Sequence, residues 1–163
     1  FPIDVFQTGS GTSSNMNANE VIANLASKYS KLTISPNDDV NMSQSSNDVI
    51  PTAIKISAHI DLTKKLIPAL NDLINTIEKK AKSVNGVIKT GRTHLMDAMP
   101  INFSEELFAL SSQLRASSEM IDIISNKFLI LPQGGTAVGS GINAHKQFSR
   151  YFSQEISKLY SGK

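Results

Sequence analysis

DVIPTAIKISAHIDLTKKLIPALNDLINTIEKKAK, residues 48–82, carries apolar side chains at Ile54, Ile56, Ile60, Leu62, Leu66, Ile67, Leu70, Leu73, Ile74 and Ile77. Steps of three and four are the helical period, and Lys64, Lys65, Lys79 and Lys80 take polar positions between them. Pro51 suits the first turn of such a helix, where its missing N–H costs little. Pro68 predicts a kink or a break. A continuous helix of this length would run roughly 50 Å at 1.5 Å per residue, whereas a compact domain of this size has a radius of gyration of about 15 Å. An element so long calls for a long bundle rather than a globule.

Working outward, Asn102-Phe-Ser-Glu105 has capping-box spacing and opens a second stripe through Leu107, Leu110, Leu114, Ile121 and Ile124, ending near Phe128. Upstream, Asn17 with Glu20 reads as another capping box, for a helix to about Lys28 carrying Val21, Ile22, Leu25 and Ala26. A final helical pattern runs from about Asn143 through Phe148, Phe152 and Ile156 towards Leu159. No run reads convincingly as a strand, and there is no internal repeat. The expected fold is all-α, long helices joined by small, polar loops.

Composition narrows the class. The chain has 163 residues, 40% apolar and 18% charged, with net charge +2 and no cysteine. That length allows one domain burying roughly 70% of its unfolded surface. Disulfides and thiolate metal sites are excluded. The charge is too small, and the lysines too scattered, to argue for nucleic acid. No run approaches the roughly 20 apolar residues of a membrane span, and Phe1-Pro2-Ile3-Asp4 lacks the basic-then-apolar order of a secretory signal. The expectation is a cytoplasmic protein, or a mitochondrial-matrix one if the source is eukaryotic. His59, His94 and His145 are scattered with no ligand-spaced carboxylates, so neither a metal nor an organic cofactor is implied.

Four polar loops lie at the edges of these helices. Residues Phe1 to Ser14 read as an opening loop, closing in Gln7-Thr-Gly-Ser-Gly-Thr-Ser-Ser14, whose glycines and hydroxyls can ring an anion before a helix. This is neither a dinucleotide fingerprint nor a P-loop: Ser14 stands where the third glycine should be, and no Gly-Lys-Ser/Thr follows. A plain Gly/Ser linker fits it equally. Val40 to Asp48 is a hydroxyl and amide run that either faces water or converges on a ligand, with Asn47 or Asp48 available to cap the next helix. Gly91-Arg-Thr-His-Leu-Met-Asp-Ala-Met-Pro100 sets a cation, a hydroxyl and an imidazole within three positions, although a lone His in a turn is more often solvated or capping. Leu131 to Asn143 breaks the helical pattern with glycines.

Together, Thr8-Gly-Ser-Gly-Thr-Ser-Ser-Asn-Met-Asn17, Asn41-Met-Ser-Gln-Ser-Ser-Asn-Asp48, Gly91-Arg-Thr-His-Leu95 and Gly134-Gly-Thr-Ala-Val-Gly139 resemble the fumarase/aspartase superfamily, and within it class II fumarate hydratase. The resemblance covers essentially the whole chain, but family members are much longer. Their mobile loop of paired serines, Met-Pro, lysine and asparagine has no counterpart here, Met99-Pro100 belonging to another motif. The resemblance therefore implies an internal fragment. Residues 1–47 would be the end of the N-terminal lyase domain, and 48–163 the first part of the central helical bundle.

Carried over, the resemblance implies that Ser10, Gly11 and Thr12 meet one end of a dicarboxylate, fumarate or malate, which Ser45, Ser46 and Asn47 also bind. Thr93 and His94 would reach the site from a second subunit of a homotetramer, and the missing loop of a third would supply the serine base. His94 would exchange a proton with the hydroxyl that leaves as water. An imidazole with an ordinary pKa of about 6.5 does so readily at neutral pH. His94 also favours a fumarase over an aspartate ammonia-lyase, which usually carries Gln there. Family members often have His-Pro-Asn-Asp at a secondary dicarboxylate site. Asn37 and Asp38 match, but Ser35 replaces the histidine. A different class of reading is a non-catalytic helical oligomerisation module. On either reading the isolated chain is expected to self-associate through its apolar stripes and to show no turnover.

Overall fold

The computed structural model describes residue 1, residues 3–7 and residues 9–161. Thr8 of the first motif and Pro2 of the opening loop lie outside the described residues. The chain forms α1 (Thr12–Ser30), a π-type turn (Pro36–Val40), α2 (Ser46–Asp61), a second π-type turn (Leu62–Leu66), α3 (Ile67–Ser83), β1 (Ile88–Thr93), β2 (Met96–Asn102), α4 (Phe103–Ser125), a 3₁₀ turn (Asn126–Leu129) and α5 (Phe148–Ser161). It divides into two compact units, Phe1–Lys55 with Leu131–Lys163, and Ile56–Ile130. The fold is predominantly helical, as the periodicity predicts.

In the second unit, α3 and α4 pack as an antiparallel pair. The buried residues of α3 are Ile74 and Ala81; those of α4 are Ser104, Ser111, Ser118 and Ser125. Both sets recur every seven residues, the spacing that keeps one seam facing a partner helix. Serines in the seam let the backbones approach closely, and the hydroxyls of three of the four are satisfied locally. Ser111 Oγ donates to Phe108 O at 3.0 Å, Ser125 Oγ to Asp122 O at 2.8 Å, and Ser104 Oγ to Asn102 Oδ1 at 2.9 Å. Arg115 and Glu78 bridge the pair at 2.6 Å. The capping box at Asn102 and Glu105 forms in both directions.

Pro68 neither breaks nor sharply ends the helix. Asp61, Leu66 and Ile67 keep right-handed helical dihedrals, and the Ile67 N–H reaches back five residues to Leu62 O. A widened turn just before the proline makes room for a ring that would clash with the preceding carbonyls. Pro68 then lies in the first turn of α3, where no N–H is needed.

Pro51 lies inside α2 rather than in its first turn, and three further expectations are corrected. First, β1 and β2 form an antiparallel hairpin, running from Ile88↔Asn102 to Thr93↔Met96, where no strand was expected. Pro100 and the lack of apolar alternation hide it, and a two-stranded ribbon accommodates a proline that a central strand would not. Its register is irregular around Gly91, where a Cβ would lie 2.7 Å from Met99 O. The hairpin's base is tied to the helix pair: Phe103 N–H donates to Val87 O at 2.8 Å and Asn102 Nδ2 to Asn85 Oδ1 at 3.0 Å.

Second, Asn17 is not an N-cap. The helix starts at Thr12 after Gly11, and Asn17 lies inside it, so the opening loop is shorter than expected. Third, α5 begins at Phe148 rather than near Asn143, whose φ of 61° is left-handed.

Among the described residues the buried apolar ones are few: Ala23, Ile74 and Ala81. On α4, Leu110, Met120, Ile123 and Ile124 remain exposed.

Candidate active site

In the first unit, two helix N-termini are laced together. Gly11, at φ 75°, precedes α1, and a Cβ there would meet the Ile50 side chain of α2 at 2.7 Å. Asn15 is buried and donates through Nδ2 to Ser46 Oγ at 3.0 Å and to Asn41 Oδ1 at 3.4 Å, while Asn19 Nδ2 reaches Asn41 Oδ1 at 3.1 Å. These bonds draw Ser10-Gly11-Thr12 alongside Ser45-Ser46-Asn47. They also stabilise a helical first turn that Ser13, Ser14 and Asn15 would not favour alone. Ser10 Oγ is 3.4 Å from Thr12 Oγ1. Each N-terminus leaves backbone N–H groups without an intrahelical acceptor, a ready anion site.

The start of α2 is a reciprocal cap. Asn47 N–H donates to Ser45 Oγ at 3.3 Å, and Ser45 N–H donates to Asp48 Oδ1 at 2.9 Å. Asp48 is 1% exposed, and its other oxygen accepts Gly134 N–H at 3.0 Å and Thr136 N–H at 2.8 Å. Asn47 Nδ2 donates to Ala137 O at 2.9 Å, and Gln133 Nε2 to Gln44 Oε1 at 3.1 Å. The fourth motif is thereby fastened to the second. Between them opens a recess of about 250 Å³ lined by Gln44, Ser45, Thr136, Ala137 and Ile142 among others. The hydroxyls of Thr52 and Thr136 are buried with no hydrogen-bond partner among the described residues.

Thr93 and His94 belong to the second unit, at the tip of the hairpin. His94 and Leu95 form its two-residue turn with φ 50° and 61°. This is the type I′ pattern, which Asn-Gly adopts easily and His-Leu does not. A left-handed non-glycine residue costs roughly 1–2 kcal/mol. Thr93, His94 and Leu95 are all exposed, and His94 has no hydrogen-bond partner among the described residues. Strain held at an exposed imidazole is an observation from which a role can be inferred. Behind the tip, Arg92 pairs with Asp97 at 3.3 Å, both largely exposed.

Ser35, Asn37 and Asp38 form a capped turn in the first unit. Ser35 Oγ accepts Asp38 N–H at 3.1 Å and donates to Asp38 Oδ2 at 3.0 Å, and Ser35 N–H donates to Asp39 Oδ2 at 2.8 Å. Asn37 is exposed. Among the described residues no three His, Asp or Glu side chains are grouped to hold a metal.

The structure thus brings Ser10, Gly11 and Thr12 together with Ser45, Ser46 and Asn47, and assigns Thr93 and His94 to the other unit. Sequence reading missed Asn15, Gln133 and Thr136, and saw Asp48 only as a cap. The Ser45-x-x-Asp48 spacing signals its local half. Nothing local signals the bonds to Gly134 and Thr136.

Comparison with known proteins follows the same lines. A family model described as lyase matches residues 1–162. Fumarate hydratase class II 2 of Pseudomonas aeruginosa is 54% identical over 159 residues, 98% of this chain and 35% of that protein. Fumarate hydratase class II of Bacillus subtilis is 51% identical over 164 residues, again 98% of this chain and 36% of that protein. Among solved structures, the class II fumarase of Schistosoma mansoni superposes with a TM-score of 0.91 at 41% identity, covering 99% of this chain and 35% of its own. The fumarate lyase:delta crystallin of Brucella melitensis gives 0.85 at 42% identity, covering 98% and 36%. The chain spans about a third of the length of the proteins it matches.

Proposed function

The chain belongs to the lyase family whose model matches residues 1–162, and from that premise we propose that the protein of which it is part reversibly hydrates fumarate to (S)-malate. The observation that carries this reading is the laced pair of helix N-termini, Ser10 to Thr12 with Ser45 to Asn47, in a chain about half identical to proteins named fumarate hydratase.

In the dehydration direction, a base removes a proton from C3 of malate, the C2–O bond breaks, and the double bond forms as water leaves. Proton removal beside a carboxylate builds a second negative charge on it. Converging hydroxyl, amide and N–H donors, fixed before the substrate arrives, stabilise that charge. Hydrogen bonds to charged groups contribute roughly 1.5–3 kcal/mol each. Ser10, Gly11, Thr12, Ser45, Ser46 and Asn47 supply these donors, and Thr93 adds a hydroxyl. His94 gives its proton to the departing hydroxyl and takes one back in the hydration direction. The base is a serine on a loop outside this chain.

Domain and assembly assignments follow the same reading. Residues 1–47 close the N-terminal lyase domain and residues 48–163 open the central helical bundle. Each active site combines three subunits of a homotetramer, so the chain alone is inactive. The exposed apolar residues of α4 support association, since such a surface is covered by partners. Among the described residues no helix is long and apolar enough to cross a membrane, and we assign the protein to the cytoplasm, or to the mitochondrial matrix in a eukaryote. Asn37 and Asp38 remain candidates for a secondary dicarboxylate site, although the carboxylate of Asp38 already engages Ser35.

The test is turnover of the full-length protein with malate and with aspartate, following fumarate in each. Fumarate from malate alone is expected. Fumarate from aspartate alone would make the protein an ammonia-lyase, and none from either would leave a helical oligomerisation module.

A further inference from the structure

We infer that Asp48 is a positioning residue for the substrate site, setting Ser45 directly and Asn47 through the Gly134–Ala137 loop; the inference rests on the hydratase reading. Asp48 is 1% exposed and accepts three backbone N–H groups, from Ser45, Gly134 and Thr136. The first of these closes the cap that presents Ser45, Ser46 and Asn47 at the start of α2. The other two hold a loop 86 and 88 residues downstream, so that Ala137 turns its carbonyl to Asn47 Nδ2 at 2.9 Å. A carbonyl only accepts, so this contact fixes which way the Asn47 amide faces. One N–H of Asn47 is thereby held, and its second N–H and Oδ1 take a defined orientation on an exposed side chain. An Asn47 without this partner would spin about its terminal bond, and its donor would no longer be set before substrate binds.

A simple helix cap would need only the Ser45 contact. Two further bonds to a distant loop, whose next residue then orients a candidate substrate ligand, exceed what capping requires. A group acting this way influences ground-state and transition-state binding together. Its loss therefore raises KM more than it lowers kcat.

The experiment is Asp48→Asn in the full-length protein, with kcat, KM for malate and the unfolding midpoint all measured. An amide at this position cannot accept all three N–H groups. KM is expected to rise about tenfold, with a smaller fall in kcat. A lower unfolding midpoint with KM within about twofold of wild type would reduce Asp48 to a structural cap and overturn the inference. Should Asp48→Asn fail to assemble, Gly135→Ala decides. Its methyl would meet Pro132 O at 3.1 Å and Gly139 Cα at 3.2 Å, displacing the loop without touching Asp48. A raised KM in Gly135→Ala sustains the inference, and an unchanged one overturns it. A wild-type protein that turns over no malate refutes the hydratase reading and this inference with it. A wild type that does, with variants of unchanged KM, refutes only the inference.

Discussion

His59 Nδ1 lies 2.9 Å from the carbonyl oxygen of Ser125, the last residue of α4. The last four carbonyls of a helix have no intrahelical donor. Because a carbonyl only accepts, Nδ1 carries the proton. The imidazole, 6% exposed, therefore closes the end of a helix whose last residue lies 66 positions further along the chain. This histidine is buried and bonded to a helix end, whereas His94 is exposed at the hairpin tip.

Replacing it with an apolar ring of similar size leaves that carbonyl buried without its donor. His59→Phe is expected to destabilise by about 1–3 kcal/mol. The loss should be concentrated at the end of α4, with faster amide exchange over residues 122–130 and, on the proposed hydratase reading, an unchanged kcat for malate in the full-length protein. Uniform exchange rates in that segment would argue that Ser125 O finds another donor.

His94→Asn separates chemistry from conformation. Asparagine tolerates the left-handed backbone that His94 adopts at φ 50°, so the turn keeps its shape while the imidazole is lost. On the proposed hydratase reading, turnover of the full-length protein should fall by about 10²–10⁴-fold, with an unfolding midpoint equal to or above that of wild type. Activity within about tenfold of wild type would remove His94 from the proton transfer.

Leu95→Gly tests the strain itself. Glycine is favoured at the second central position of a type I′ turn, and relieving a left-handed leucine should raise stability by about 1 kcal/mol against the greater freedom of glycine in the unfolded chain. An unfolding midpoint below that of wild type would mean that the exposed leucine is buried by a partner in the assembled protein.

Gly11 combines two constraints, φ 75° and an Ile50 side chain where a Cβ would sit. Gly11→Ala should cost about 1–3 kcal/mol by overpacking and backbone strain, with a raised KM. Adding Ile50→Ala relieves only the packing part, so the pair should show a favourable coupling of about 0.5–3 kcal/mol in a double-mutant cycle. Strict additivity would place the whole cost in the backbone.

Much of the architecture was legible because it rests on local rules. The three-and-four spacing of residues 48–82 gave the long helices, and Asn102 with Glu105 marked the start of α4 to the residue. The failures at α1 and in the site come from contacts between residues distant in sequence, whereas the hairpin and the start of α5 lacked a clear local pattern. Asn17 has the better local cap, yet Asn15 reaches Asn41 and Ser46, 26 and 31 residues on, and the helix starts earlier. The hairpin carries Pro100 and no alternation, so only pairing between strands defines it. In the site, the hydroxyl and amide clusters were visible as composition. The bonds from Asp48 to Gly134 and Thr136 were not, because no period links residues so far apart.

The serine seam between α3 and α4 has a consequence for His94 at the far end of the hairpin. With strands of six and seven residues rising about 3.3 Å per residue, the ribbon is a lever arm of roughly 20 Å. A rocking of its base by about 3° moves the imidazole by about 1 Å, and on the proposed hydratase reading a displacement of that size can cost about 10²-fold in rate. Packing of α4 on α3 through the buried Ser104 and Ser111, with Asn85 and Asn102 clamped above it, limits that rocking. The seam of serines packed beside Ile74 and Ala81 then sets the angular tolerance of the hairpin tip as well as the stability of the helix pair.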